Sequence, residues 1–137
     1  MPHTGNIDET LDEEQELLMR ARLHVKSGLD RFSHGMTVDA IAAFYDAISS
    51  AMQRCIIVRE ISTNEVDISE DFTLFKMLLK SGVFNDSITL EDFEYIRQTL
   101  EDAFENKLKT FDETSFLDVS ESLLMQLGII KEGEIVS

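Results

Sequence analysis

The side chains best suited to acid–base or anion chemistry form two short basic pairs in the first third of the chain. Arg20 and His24 are four residues apart, so a helix would place them on one face. Such a pair can line a polar pocket or transfer a proton, although a solvated helix face has the same spacing. Arg31 and His34 form the second pair, in which the imidazole is also suited to capping the last carbonyls of a helix.

These pairs lie in or beside a segment whose charge differs from that of the rest of the chain. The protein has 137 residues, with 12 Lys and Arg against 27 Asp and Glu, and a formal charge of −15. Residues 21–59 hold five bases and three acids, whereas residues 60–137 hold six bases and eighteen acids. If an anion binds this protein, we expect the basic segment to contact it. The candidate contact residues are Arg20, His24, Arg31, His34 and Arg54.

The overall acidity argues against two classes of partner. Nucleic acid binding needs clustered Lys and Arg, and an anionic membrane surface repels a chain of this charge. The longest unbroken apolar run is only a few residues, so no membrane-spanning segment is predicted. A polar, acidic start without a signal sequence and a single cysteine, Cys55, predict a cytoplasmic protein in a reducing compartment. Cys55 falls on an apolar helix face, which predicts a buried thiol.

The sequence contains none of the residue spacings that we associate with a catalytic or ligand site. The phosphate-binding patterns GxxxxGK[ST] and GxGxxG, the nucleophile elbow GxSxG and the metal-binding HExxH are all absent. Residues 81–92 lack two carboxylates that a calcium loop of the EF-hand type requires. The many carboxylates fall opposite the apolar stripes, as on a solvated surface. We therefore predict no catalytic, cofactor-binding or metal residues, and a protein that is not an enzyme.

Hydrophobic spacing predicts five helices. The predicted spans are residues 9–32, residues 37–59, about three turns between Ser69 and Ser81, and two helices that begin at Thr89 and Thr114. Thr37, Thr89 and Thr114 are suited to capping the helices that they begin, and Asp92 completes a capping box with Thr89.

The predicted fold is all-α, an up-and-down bundle of four to five helices built on a long N-terminal helical hairpin. Each helix has one apolar stripe, and a bundle buries one stripe per helix. Residues 60–70 are predicted to form a loop, because the only strand signal there, Val66 and Ile68, has no partner strand. We expect a single helical domain over residues 1–128 and a C-terminal tail over residues 129–137.

The hairpin carries two resemblances to known families. Its small and aromatic residues resemble one tetratricopeptide repeat, without a second copy at the required period. They are Gly28, Phe32, Gly35, Ala40, Ile41, Phe44, Ala47 and Ile48. A long helix, a tight turn and a long Ala-rich helix, followed by shorter helices, also resemble HEPN-type bundles over residues 10–108.

The HEPN resemblance implies a helical bundle that is often dimeric and, in its active members, a ribonuclease. Those members carry Arg, then four to six residues, then His. This chain has three residues between Arg20 and His24 and two between Arg31 and His34, so it departs from that motif.

Three functions are therefore open. The first is a non-enzymatic protein-interaction module that self-associates, as a homodimer. The second is an acidic regulatory or antitoxin-like partner of a basic protein. The third is a HEPN-like ribonuclease with a degenerate site. The sequence features favour them in the order module, acidic partner, ribonuclease.

Overall fold

The protein is all-helical in its described part, which confirms the predicted fold class. A computed structural model describes residues 6–63, 67 and 69–135, with side chains from residue 12 onward. The five helices in those residues are α1 (Asn6–Ser33), α2 (Thr37–Val58), α3 (Asp71–Lys80), α4 (Leu90–Phe104) and α5 (Glu113–Gln126). Residues 60–63 are non-helical, as predicted, while the possible strand residues Val66 and Ile68 lie outside the described residues.

The helix caps agree only in part with the prediction. The capping box of α4 is confirmed, because the Asp92 carboxylate accepts a hydrogen bond of 2.8 Å from the backbone N–H of Thr89. The predicted caps Thr37 and Thr114 are wrong. Thr37 is already inside α2, and the side chain that caps α5 is Asp112, which accepts a hydrogen bond from the backbone N–H of Ser115. A carboxylate so placed also stabilises the positive end of the helix dipole.

Helices α1 and α2 form the predicted antiparallel hairpin. Gly35 turns the chain between them with a φ of +75°, a conformation that glycine adopts without strain. Farther from the turn, Arg20 faces Asp46 and Glu14 faces Arg54. Gly28 lets the helices approach closely, because a Cβ atom there would lie 2.7 Å from the ring of Phe44.

Helix α2 is the centre of the fold. It contacts all four other helices, and eleven of its residues are buried. Phe44 packs between Phe32 of α1 and Phe116 of α5, with ring centroids 5.9 and 6.0 Å away. On another side of the core, Phe75 of α3 stacks on Phe93 of α4 at 4.8 Å.

The burial of α2 also accounts for its apolar composition. Among the described helices, α2 is the one that is long enough and apolar enough to cross a membrane. The length of its unbroken apolar runs does not reveal this. More than half of its apolar window, 56%, is buried inside the protein. A core helix has the same composition as a weakly apolar span, so the structure is compatible with a soluble protein.

The packed core continues past residue 128, where we predicted a tail to begin. Ile129 and Ile130 are 2% and 9% exposed. The Arg22 Nε donates a hydrogen bond of 3.2 Å to the carbonyl of Ile129. Gly128 reverses the chain after α5 with a φ of +81°, and this turn directs the two isoleucines back to the core.

Candidate functional site

Two of the predicted contact residues, Arg20 and His24, come together on the side of the hairpin. The Arg20 Nε and Nη2 lie 3.3 and 3.2 Å from the two carboxylate oxygens of Asp46, and His24 Nε2 lies 3.3 Å from Oδ2. Ser50 donates a weak hydrogen bond of 3.4 Å to the same carboxylate. The Asp46 charge offsets that of Arg20, so this cluster ties α1 to α2 and has little positive charge left for an anion.

The second predicted pair, Arg31 and His34, lies at the turn of the hairpin, away from the Arg20 cluster. The Nδ1 of His34 is 2.8 Å from the carbonyl oxygen of Asp30 and 3.7 Å from its carboxylate. The Arg31 carbonyl accepts hydrogen bonds from the backbone N–H groups of His34 and Met36. These contacts satisfy carbonyls at the end of α1, which is the capping alternative considered for His34.

Arg54 forms the most buried ion pair among the described residues of the hairpin. Its Nε and Nη2 both lie 2.7 Å from Glu14 Oε1, and the two side chains are only 18% exposed. The positive charge of Arg54 is therefore paired with Glu14 between α1 and α2. The structure divides the five predicted residues among three places, and they do not converge on one site.

A polar network between α2, α3 and α4 is a feature that the sequence analysis missed. Asp71 accepts a hydrogen bond of 2.9 Å from Ser49, and burial, together with the Asp71 charge and hydrogen bond, raises the pKa of Tyr45 well above its usual value. The Arg97 guanidinium lies 5.6 Å from the centroid of the Phe72 ring and 3.2 Å from Glu94. Tyr45, Asp71, Phe72, Glu94 and Arg97 line an open groove of about 380 Å³.

The chemistry of this groove favours a structural role. A neutral phenol donates to a carboxylate, and the cation stacks on a ring and pairs with an acid. Such contacts hold three helices in register. Within the described residues, no group of three or more His, Cys, Asp or Glu side chains is placed to hold a metal ion.

The outer face of α1 exposes two large apolar side chains close together. Met19 and Leu23 are one turn apart and are 63% and 58% exposed. With Gln15, Leu18, Arg22 and Lys26 they line a shallow groove of about 450 Å³. Among the described helices, only α2 runs alongside α1, so this face has no helix against it.

The sequence contains a pattern that indicates this exposed apolar face. Met19 and Leu23 stand four residues apart in a stretch rich in charge, and the inner stripe of Ala21, Val25 and Phe32 accounts for the helix by itself. A search for a second apolar stripe on the same helix would have found the pair.

Comparisons of the chain with family models, curated proteins and solved structures give no match.

Proposed function

We propose that the protein is a non-enzymatic helical interaction module that acts by self-association. The observation that carries the proposal is the outer face of α1, where Met19 and Leu23 are more than half exposed. Single exposed apolar residues are common, but here two large ones lie one turn apart and line the same shallow groove, which favours a contact surface.

The electrostatics of the chain favour self-association at the hairpin over other surfaces. Two copies at −15 each repel one another, and most of that charge belongs to residues 60–137. Contact through α1 brings together a helix whose acidic first part is followed by basic residues, so that opposite charges can face one another between two copies. The internal pairing of Arg20 and Arg54 further supports a structural use of the basic residues.

Sedimentation velocity over a range of micromolar concentrations tests the proposal. We expect the average mass to rise with concentration from monomer towards dimer. We expect the association to persist in high salt, because salt screens the repulsion between acidic copies and leaves apolar contact intact. A single monomeric species at every concentration and salt level would refute self-association.

An acidic partner for a basic protein is the second candidate, and the surface of α4 and α5 favours it. Exposed carboxylates there include Glu91, Glu101, Glu105, Glu113 and Asp118. This function predicts binding that weakens steeply with salt, the opposite of self-association. A pull-down with a basic protein whose yield does not change with ionic strength would count against it.

A further inference from the structure

The outer face of α1 carries a row of exposed side chains with the repeat of a coiled-coil seam. They follow one another at alternating steps of four and three residues. The row is Asp12, Glu16, Met19, Leu23, Lys26 and Asp30, and every member is exposed. Such steps keep side chains on one narrow stripe of a helix. The row, called the outer seam below, lies on the opposite side of α1 from the buried Ala21 and Val25.

When two copies of the outer seam run in opposite directions, the residues that face one another are complementary. Met19 and Leu23 form its centre, with Glu16 before them and Lys26 after them. A second copy running antiparallel, with a two-fold axis between Met19 and Leu23, places each Met19 against the other copy's Leu23. The same axis places each Glu16 against the other copy's Lys26. A parallel pair would instead set Glu16 against Glu16 and Lys26 against Lys26.

We propose that two copies of the chain pair through the outer seam in antiparallel orientation, around a two-fold axis between Met19 and Leu23. This inference rests on the proposed self-association and adds its surface and its orientation. A two-fold contact is closed, because the same patch serves both copies. Within the described residues, neither Glu16 nor Lys26 has an ion-pair partner in its own chain, so both are available to the second copy.

The ends of the outer seam limit the contact to its middle. The antiparallel order sets Asp12 of one copy towards Asp30 of the other, which is a repulsive pair. Each lies nine residues from the axis, about 13 Å along the helix. At the crossing angle of about 20° that is typical of a coiled-coil seam, the two helices are displaced sideways by roughly 5 Å at that distance, so this repulsion is weakened but remains. The remaining contact of about three turns is smaller than the roughly 800 Å² per partner of a standard interface, and we expect a dimer of micromolar or weaker affinity.

Charge reversal tests the orientation. Glu16→Lys and Lys26→Glu each replace two attractive pairs in the dimer by two repulsive ones, and we expect each to weaken dimerisation about five- to tenfold. The double variant E16K/K26E restores opposite charges across the antiparallel seam and is expected to return to within about twofold of the original affinity. Glu132→Lys and Lys109→Glu, on exposed residues outside α1, are the controls for the change in net charge.

The apolar centre is tested separately. Leu23→Asp is expected to weaken the dimer by at least about tenfold, because it removes two apolar contacts and adds two buried charges. Phe104→Asp is the matched control, since Phe104 is 66% exposed and lies on α4. Circular dichroism and thermal unfolding of each variant as a dilute monomer confirm that the fold is retained.

Disulfide cross-linking distinguishes the two orientations directly. Met19→Cys and Leu23→Cys variants are oxidised alone and as a mixture, and the wild type with its buried Cys55 is the control. The antiparallel seam predicts rapid cross-linking between Met19→Cys and Leu23→Cys chains, because only facing Cβ atoms come within bonding range. A parallel seam predicts cross-links between identical variants.

The outcomes separate the two proposals. If the wild type is monomeric throughout, both the proposed function and this inference fail. If it dimerises but the charge reversals and Leu23→Asp leave the affinity unchanged, the outer seam is refuted and self-association stands. If Leu23→Asp weakens the dimer and the double reversal gives no recovery, the antiparallel orientation is refuted.

Discussion

Gly28 shows how one missing side chain sets the distance between two helices. The backbone of α1 comes so close to Phe44 that an added Cβ would lie 2.7 Å from two of its ring atoms. Phe44 cannot move away freely, because the rings of Phe32 and Phe116 hold it on two sides. The glycine therefore has a packing function, although glycine in a helix costs about 1 kcal/mol of helix stability.

We expect Gly28→Ala to destabilise the protein in spite of the higher helix propensity of alanine. Overpacking costs about 1–3 kcal/mol and the propensity gain is about 1 kcal/mol, so the net loss is about 1 kcal/mol. Thermal unfolding should show a Tm lower by roughly 3–5 °C. In a Phe44→Leu background the same change should cost less, because the ring that clashes is gone. An equal cost in both backgrounds would exclude the contact as the cause.

The two tyrosines, Tyr45 and Tyr95, are expected to resist ionisation. Burial and then the Asp71 charge raise the pKa of Tyr45, and burial and then Asp112 raise that of Tyr95. A raised pKa in the folded state stabilises the protein below the unfolded value of 10.0 and loses that contribution as the pH rises through the folded value. The protein lacks tryptophan, so phenolate absorbance during an alkaline titration measures this directly.

That titration has a simple internal standard. The same protein in denaturant should titrate near the ordinary tyrosine pKa, and Tyr45→Phe should remove the transition at higher pH. Titration of both tyrosines at the ordinary value in the folded protein would contradict the described burial of their rings.

At the scale of the element, the apolar spacing within each helix could be predicted from the sequence, but the contacts between helices could not. The apolar stripes of α1 and α2 follow from i, i+3, i+4 spacing, as does the burial of Cys55. The Glu14–Arg54 pair joins residues 40 apart, and no local pattern indicates it. Asp112 was missed as a cap because two good capping residues, Asp112 and Thr114, occur close together, and their spacing does not indicate which of them begins α5.

The stability that Asp112 gives to α5 as its N-cap depends on pH. Two hydrogen bonds from Ser115, first from its backbone and then from its side chain, lower the pKa of Asp112 below its usual 3.8. A lowered pKa adds stability that is complete above the unfolded value and is lost as the pH falls through the folded value.

We expect Asp112→Ala to lower the Tm at neutral pH, because the N-cap acceptor is lost. The difference from the wild type should shrink in strongly acidic solution, where the wild-type carboxylate is protonated as well. Thr114→Ala is the matched control and should have a smaller effect, since Thr114 is not the cap. A difference independent of pH would show that the charge of Asp112 contributes nothing.

At the scale of the whole molecule, the buried residues after α5 test whether the folded domain ends at residue 128, as the sequence predicts. Ile129 is 2% exposed and its carbonyl accepts the Arg22 hydrogen bond. Ile129→Ala should therefore destabilise the whole fold by about 2–4 kcal/mol, as in other large-to-small core substitutions. Denaturant unfolding measures this, and Val58→Ala, at a site that is 52% exposed, should cost much less. Equal small effects at both sites would assign residues 129–135 to a separate tail.

The hydrogen bond between Arg22 and Ile129 joins residues 107 apart in the chain, the longest separation among the side-chain contacts described above. A chain growing from its N-terminus has made both long helices well before Ile129 is synthesised. The hairpin can form early from local contacts, but the carbonyl that Arg22 contacts and the buried Ile129 and Ile130 are added only with the last part of the described chain. Nascent chains interrupted before that point therefore present a helical hairpin with an unfinished core, which is the kind of species that chaperones bind.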